Sequence, residues 1–314
     1  MKKAVITTFL MLIVLLAEAQ ESQTAFNFLR LPVSAHAAAL GGDNITLNED
    51  DGTMLFHNPA LAAEVSDKTL SLGMMTYMQG TATASGSFLK AAGERGTWAA
   101  SAQYMSYGTM RETTAEGLQT GEFSAKDIAV MGTYAYLLTD HVSGGISAKV
   151  ITSHIGQFHS LAMGVDLGLH YFSGEQQWAV AVVARNVGGQ LTAYENDFER
   201  MPFDLQFGVS KRLVGSPLRL SATLVRLNDW EYGLGRHLVV GADLILSPQF
   251  YVAVGYNTLR AAEMRISHDD GDSSHGAGLS LGGGLQLERL KLHVAWAKYH
   301  VSSSSLLVNV SYAL

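Results

Sequence analysis

The sequence predicts an all-β fold, a transmembrane antiparallel β-barrel of about 14 strands with an N-terminal plug segment. Three observations point to it: an apolar leader opens the chain, apolar residues recur at every second position from about residue 69, and tight turns alternate with longer connections. Apolar residues make up 47% of the 314, yet no stretch after residue 20 is long enough for a transmembrane helix. A closed barrel needs none, because its strands satisfy one another's backbone hydrogen bonds.

The first 19 residues have the composition of a signal peptide. Lys2 and Lys3 form a charged start, residues 4–16 are apolar but too short to span a bilayer, and small residues at 17 and 19 supply a cleavage site. We expect cleavage before Gln20, with an N-terminal membrane anchor as the alternative. No cysteine follows the apolar stretch, so a lipid anchor is not expected.

The barrel is expected to occupy residues 69–314, where the alternation has a period of two. In residues 161–172, one face carries Met163, Val165, Leu167, Leu169 and Tyr171, and the other carries Ala162, Gly164, Asp166, Gly168 and His170. Residues 276–286 and 305–314 alternate in the same way. The segments run for about ten residues, the length that a tilted transmembrane strand needs.

The connections between the predicted strands alternate in length. We place strands near residues 69–76, 81–90, 96–107, 126–138, 142–153, 161–172, 177–187, 204–213, 218–227, 238–246, 249–258, 276–287, 290–299 and 305–314. Every second connection is tight, and the longer ones are residues 108–125, 154–160, 188–203, 228–237 and 259–275. Short periplasmic turns and long outer loops are typical of bacterial outer-membrane barrels, and both termini then lie in the periplasm.

The other face of the strands consists mostly of Gly, Ala and Ser, with isolated charged residues. These are Asp127, Lys149, Asp166, Arg185, Asp204, Asp243 and Lys291. Opposite an aliphatic face, they are expected to point into a polar lumen, where both signs can form structural ion pairs. Aromatic residues near the strand ends are expected to form girdles at the membrane surfaces, namely Trp98, Tyr104, Tyr134, Tyr136, Trp178, Phe250, Tyr256 and Trp296.

Residues 20–68 do not alternate and precede the first predicted strand, so we expect them to fold into the lumen as a plug. They contain an alanine run that ends at Ala39 and an acidic patch at residues 48–52. Asn58 followed by Pro59 is a favourable start for a short helix, because Asn caps the first amides and Pro fits the first helical position.

The plug segment and three later stretches resemble known proteins. The motif residues of the plug are Phe28, Leu29, Pro32, Ser34, Gly41, Gly42, Asn58, Pro59 and Ala60. Together they resemble the PorV/PorQ family of outer-membrane proteins from the type IX secretion system of Bacteroidetes, within the broader fatty-acid-transporter-like barrels. Residues 121–128, 202–206 and 297–306 resemble the PorQ branch of that family in particular.

The resemblance implies a fourteen-stranded barrel that is not an enzyme and works in protein secretion at the cell surface. In the attachment complex it would hold a PorZ-like surface protein beside PorU-like and PorV-like components, surrounded by outer-membrane lipids. Two alternatives follow from the wider family: a channel for hydrophobic small molecules, or a PorV-like cargo shuttle. A channel needs an apolar lumen pocket and a gap in the wall or plug, which a lumen face of small residues and paired charges disfavours.

Other patterns carry weaker signals for chemistry. The acidic residues at 268–272 and 48–52 could bind calcium, but such residues also make turns. His154 and His159 are expected in an outer loop without a third metal ligand, and the glycines at 276–284 lack the strand–turn–helix context of a phosphate loop. The net charge of −7 argues against a nucleic-acid partner. We expect no catalytic site, metal or cofactor.

Overall fold

The structure is a computed structural model that describes residues 24–314, except 79, 116, 230–232, 269–270, 274–275 and 302. The predicted signal peptide and its cleavage before Gln20 lie outside the described residues. The same holds for Asp269 and Asp270 of the acidic cluster considered as a calcium site.

Fourteen antiparallel strands close into a barrel, which confirms the predicted fold class. They are β1 (Thr69–Thr76), β2 (Ala82–Ala92), β3 (Gly96–Thr113), β4 (Gln119–Leu137), β5 (Val142–Ile155), β6 (Phe158–Ser173), β7 (Trp178–Thr192), β8 (Asp204–Arg212), β9 (Leu218–Leu224), β10 (Leu238–Ile245), β11 (Phe250–Asn257), β14 (Leu279–Gln286), β15 (Leu290–His300) and β16 (Ser303–Ala313). The barrel closes where β16 pairs with β1. The connection from β11 to β14 contains a short helix (Thr258–Glu263) and a hairpin of β12 (Ile266–His268) and β13 (Gly271–Ser273).

The period-two pattern sorts side chains between the outside of the barrel and the lumen. In β6, Met163 and Leu169 are 51% and 54% exposed on the outside, whereas Asp166 is 2% exposed. An aliphatic outer surface of this kind is stable only against lipid, since water would leave it unburied. The aromatic residues predicted to form girdles face outward, and Trp98 packs against Tyr134 at 4.4 Å between ring centroids.

Two predicted loops are wrong. Residues 108–125 are mostly strand, because the β3–β4 ladder continues beyond the apolar alternation, for example where Arg111 pairs with Glu122. Residues 154–160 also belong largely to strands, and His154 and His159 lie opposite each other in the β5–β6 ladder. The physical reason is that backbone pairing does not require lipid. A hairpin can therefore continue as paired strands into water, beyond the residues that alternate between apolar and polar.

The strands β3 to β7 are the longest, and their hairpins extend beyond the other strands at one end of the barrel, which we call the tall end. At about 3.3 Å per residue and a tilt of about 45°, the 18 residues of β3 extend about 42 Å along the membrane normal. The apolar band of such barrels is about 25 Å tall. The β3–β4 hairpin therefore stands clear of the bilayer. The opposite end carries the tight turns, and we call it the short-turn end.

Residues 24–65 cross the lumen from the tall end to the start of β1. Thr24 pairs with Arg200 in the β7–β8 connection at the tall end. The segment contains helix α1 (Ala35–Ala39) and 3₁₀ turns at Asn27–Arg30, Gly52–Phe56 and Pro59–Glu64. The predicted short helix after Asn58 is confirmed as the last of these turns, and Asn58 accepts a hydrogen bond from Ala60 at 3.0 Å. Among the described residues, no helix is long and apolar enough to span a membrane.

Small residues on the lumen face allow the plug to approach the wall. A Cβ atom at Gly255 would lie 2.2 Å from the backbone of Leu40 and Gly41, and one at Gly145 would lie 2.3 Å from the carbonyl carbon of Pro59. Gly41 and Gly42 themselves have φ near +107° and +106°, which a residue with a side chain rarely adopts. The glycines of the wall and of the plug therefore fit one another.

Candidate functional site: a locked plug and an outer cavity

Four charged groups, which we call the latch, join the plug to the barrel wall: His36 and Asp243 are buried, and Glu49 and Arg219 are partly buried. His36 of α1 donates from Nδ1 to Glu49 at 2.8 Å and from Nε2 to Asp243 of β10 at 2.7 Å. Arg219 of β9 donates from Nε to Asp243 and from Nη2 to Glu49, both at 2.7 Å. Two cations and two carboxylates thus alternate in a ring, so each charge has partners of opposite sign.

The latch keeps its charges in spite of burial. Burial alone would lower the pKa of His36, but the carboxylates of Glu49 and Asp243 outweigh it and raise that pKa to about 9. The pKa of Glu49 is held well below its usual value, because His36 and Arg219 outweigh the opposite effect of burial. The His36 ring also stacks on Tyr251 at 3.8 Å. At neutral pH the imidazolium form is therefore the stable one.

A second ion pair ties the acidic patch of the plug to the wall. Lys291 of β15 bonds to Asp50, and the Asp50 carboxylate also accepts from the hydroxyl of Ser66 at 2.6 Å. Glu49 and Asp50 both belong to the patch at residues 48–52, considered above as a turn or calcium site. In the structure these carboxylates bond to basic side chains of the barrel wall.

The seven predicted lumen charges are all buried. Lys149 and Asp166 pair with each other at 2.7 Å in the wall. The others bond elsewhere: Asp127 accepts from the hydroxyl of Tyr107 at 2.7 Å, and Arg185 donates to the carbonyl of Leu29 at 2.9 Å. Asp204 accepts from the backbone amide of Arg226 and from Gln206, both at 2.7 Å, while Asp243 and Lys291 hold the plug. Charged side chains of the wall thus bond to the plug as well as to one another.

The motif residues lie along the whole plug and are buried. The Phe28 carbonyl accepts from Gln103 at 3.2 Å, which fixes the tall-end part of the plug together with the Leu29 contact. Ser34, two residues after Pro32, caps α1 by accepting from Ala37 at 3.3 Å. The Asn58 amide donates to the carbonyl of Ile45 at 3.1 Å, and Pro59 and Ala60 follow it against the wall. These residues hold the plug's shape, and none is exposed.

An outer cavity of about 700 Å³ opens at the tall end. Its apolar walls come from the long strands and from the start of the plug, and they include Phe26, Tyr107, Met110, Phe123, Ile155 and Phe158. The β7–β8 connection closes the other side with Tyr194 and the acidic residues Glu195, Asp197 and Glu199. Phe123 and Asp127 of β4 belong to this lining as well.

A second cavity of about 1010 Å³ opens at the short-turn end, beside Glu49 and Arg219 of the latch. The plug lies between the two cavities, and side chains such as Phe28, Leu40 and Leu55 are at most 2% exposed. The plug therefore fills the lumen between the two ends in the part of the chain that the structure describes.

The wall next to Asn58 and Pro59 is continuous. The β4–β5 and β5–β6 ladders run without a register shift past Gly145 and Gly168, the two residues that the plug touches there. Register shifts do occur in the β6–β7 ladder, between Leu161 and Ala162 and between Val165 and Leu167. β6 and β7 pair again on both sides of each shift, so the barrel remains closed there.

Sequence reasoning did not identify His36, Glu49 and Arg219 as a site. The alternation in β9 could have predicted that Arg219 points into the lumen, since it lies between the outward-facing Leu218 and Leu220. No local signal pairs His36 with Asp243, because 207 residues separate them. Among the described residues, no group of three or more His, Asp or Glu side chains is arranged to hold a metal ion.

Solved structures with the same fold align with almost the whole chain. The CymD monoaromatic hydrocarbon channel covers 92% of this chain and 98% of its own, with a TM-score of 0.60 and 15% identity. The Pseudomonas putida toluene transporter TodX covers 90% and 98%, with a TM-score of 0.57 and 13% identity. A Pseudomonas aeruginosa FadL homologue covers 90% and 99%, with a TM-score of 0.55 and 12% identity. No protein-family profile and no curated protein matches the sequence.

Identities this low establish the fold and leave the activity open. The neighbours are described as channels and transporters. The chain has the fold of the FadL-type outer-membrane channels, here a closed barrel of fourteen antiparallel strands with a plug in its lumen.

Proposed function

We propose that this chain is an outer-membrane barrel that anchors a surface protein, as a PorQ-like component of the type IX secretion attachment complex. The tight turns then lie in the periplasm and the tall end faces the cell exterior, as in other outer-membrane barrels. The observation that carries the proposal is the latch. A plug held by this ring of four charges behind a closed wall suits a rigid support better than a passage.

The motif resemblance gives the proposal its specific form. The residues concerned extend from Phe28 in the plug to the β15–β16 end, and Phe123 and Asp127 among them line the outer cavity. The expected neighbours are a PorZ-like surface protein and PorU-like and PorV-like components. The tall end offers the surface on which such a partner would sit.

A pull-down from native outer membranes tests the anchoring function. The chain is tagged within the short turn at residues 174–177, so that the tall end stays free, and membranes are solubilised in mild detergent. We expect a PorZ-like protein to be recovered with the wild-type barrel at a fixed ratio. Recovery of the barrel with no surface protein would refute the assignment.

A channel for hydrophobic small molecules is the second candidate, and the fold comparisons support it better than they support anchoring. The neighbours in fold are a toluene transporter and a monoaromatic hydrocarbon channel. The apolar walls of the outer cavity supply an entry site of suitable volume for such a molecule. A PorV-like cargo shuttle is a further alternative on the same fold.

An uptake assay separates the channel from the anchor. Cells with and without the chain are given radiolabelled toluene, and its rate of entry is measured. A channel raises the rate in cells that contain the chain. The anchoring function predicts equal rates, because release of the plug would require the latch to break.

A further inference from the structure

The outer cavity combines apolar walls with acidic side chains. Glu195, Asp197 and Glu199 lie on its β7–β8 side, and Asp127 lies on β4. Its lining contains no lysine, arginine or histidine. Glu195, Asp197 and Glu199 are exposed, and none forms an ion pair within the described part of the chain. The lining of the cavity therefore carries a net negative charge.

This charge decides which chemistry fits. An anionic head group, such as a fatty-acid carboxylate, would face repulsion from three unpaired carboxylates. A cation would be attracted by them, and the lining also contains the aromatic residues Phe123, Phe158 and Tyr194, a residue type that binds ammonium and guanidinium groups. The apolar walls also require that the cation be carried on or beside apolar groups.

The position of the cavity favours a protein as the source of that cation. It lies within the hairpins that extend beyond the apolar band, and apolar side chains around it are open to water. Leu118 and Phe198 are 69% and 66% exposed in the adjoining connections. Exposed apolar residues around a pocket, bounded by charge, are the features of a protein–protein interface with a central anchor residue.

We propose that the outer cavity receives a lysine or arginine side chain with apolar neighbours, presented by a segment of the surface partner. This inference rests on the anchoring function and assigns its contact site. The cationic end lies against Glu195, Asp197 and Glu199, and the apolar neighbours pack on the strand side of the cavity. Binding weakens as salt is raised, because exposed carboxylates supply the attraction.

Capped fluorescent peptides test the inference on the full barrel in nanodiscs. The probes are Leu-Lys-Leu-Phe, Leu-Gln-Leu-Phe and Leu-Glu-Leu-Phe, with affinities measured by anisotropy. We expect the lysine peptide to bind up to about fivefold more tightly than the glutamine peptide, and the glutamate peptide to bind most weakly. The triple variant Glu195→Gln, Asp197→Asn and Glu199→Gln is expected to abolish the difference between the lysine and glutamine peptides.

A matched variant controls for net charge. Glu94→Gln, Asp140→Asn and Glu175→Gln remove the same three charges at the short-turn end, and we expect them to leave the order of affinities unchanged. Equal binding of the lysine and glutamate peptides overturns the inference. So does binding of toluene in the cavity together with failure of all three peptides. If the peptides fail while the pull-down recovers a surface protein, this contact site is wrong and the anchoring function stands.

Discussion

Asp243→Asn removes one carboxylate from the latch while keeping the side chain's size. Asp243 is 0% exposed and accepts from both His36 and Arg219 at 2.7 Å. The variant leaves the buried His36 and the partly buried Arg219 with Glu49 as their one carboxylate partner within the latch. Removal of one member of a buried ion pair costs about 3–5 kcal/mol. Each 1.4 kcal/mol is about a tenfold change in an equilibrium constant, so plug release is expected to rise about a hundredfold or more.

A single thiol reports on plug release, because the chain contains no cysteine. Ala38→Cys places the thiol in α1, where the native side chain is 1% exposed. A maleimide reagent then reacts only when the plug leaves the wall, at a rate set by the opening equilibrium. We expect the rate to rise about a hundredfold in the Asp243→Asn background.

Asp140→Asn is the matched control for this measurement. It makes the same chemical change in the exposed pair of Arg95 and Asp140, which is separated by 3.3 Å. Exposed pairs contribute at most about 1 kcal/mol, so the rate of thiol modification should change less than about fivefold. Equal rates for Asp243→Asn and the parent chain would refute the conclusion that the latch holds the plug.

Three further predictions concern the lumen. Plug release is measured with the same thiol, and each rate is divided by that of a freely exposed thiol at the same pH, because the thiolate is the reactive form. It is expected to be slow below pH 6.5 and faster as pH rises toward 9, since His36, with its pKa raised from 6.5 to about 9, loses about 3 kcal/mol of stabilisation over that range. A flat corrected profile would contradict this. Lys149→Met is expected to lower the urea midpoint of unfolding by leaving Asp166 buried without its ion-pair partner, and adding Asp166→Leu is expected to restore it. Gly145→Ala places a Cβ 2.3 Å from the plug backbone and is expected to increase protease cleavage of the plug, whereas Gly132→Ala, with open space around it, is not.

The barrel was accessible to sequence reasoning because lipid imposes a strict rule on every strand. An outward residue such as Leu169 must be apolar, and its neighbour Gly168 must leave room inside, so the alternation predicts strands and their faces. The rule ends where the membrane ends. The β3–β4 hairpin beyond Tyr107 therefore carries no apolar period, and its extension into strand was missed.

The latch was not accessible in the same way. Its members come from the plug and from the strands β9 and β10 in the last third of the chain, and only the closed barrel brings them together. The sequence indicates that Asp243 points inward and that residues 48–52 are acidic. Which basic residue pairs with which carboxylate depends on how the plug folds, and the plug sequence has no regular alternation from which to predict its fold.

Native mass spectrometry of the barrel, released gently from its own outer membrane, tests the central claim most directly. The anchoring function predicts one mass, equal to the barrel plus a surface protein in a fixed ratio. The contact site inferred at Glu195, Asp197 and Glu199 further predicts that the triple variant lowers the share of barrel found in that species. A barrel that leaves the membrane alone, carrying an apolar small molecule in its lumen, would contradict the account and favour a channel.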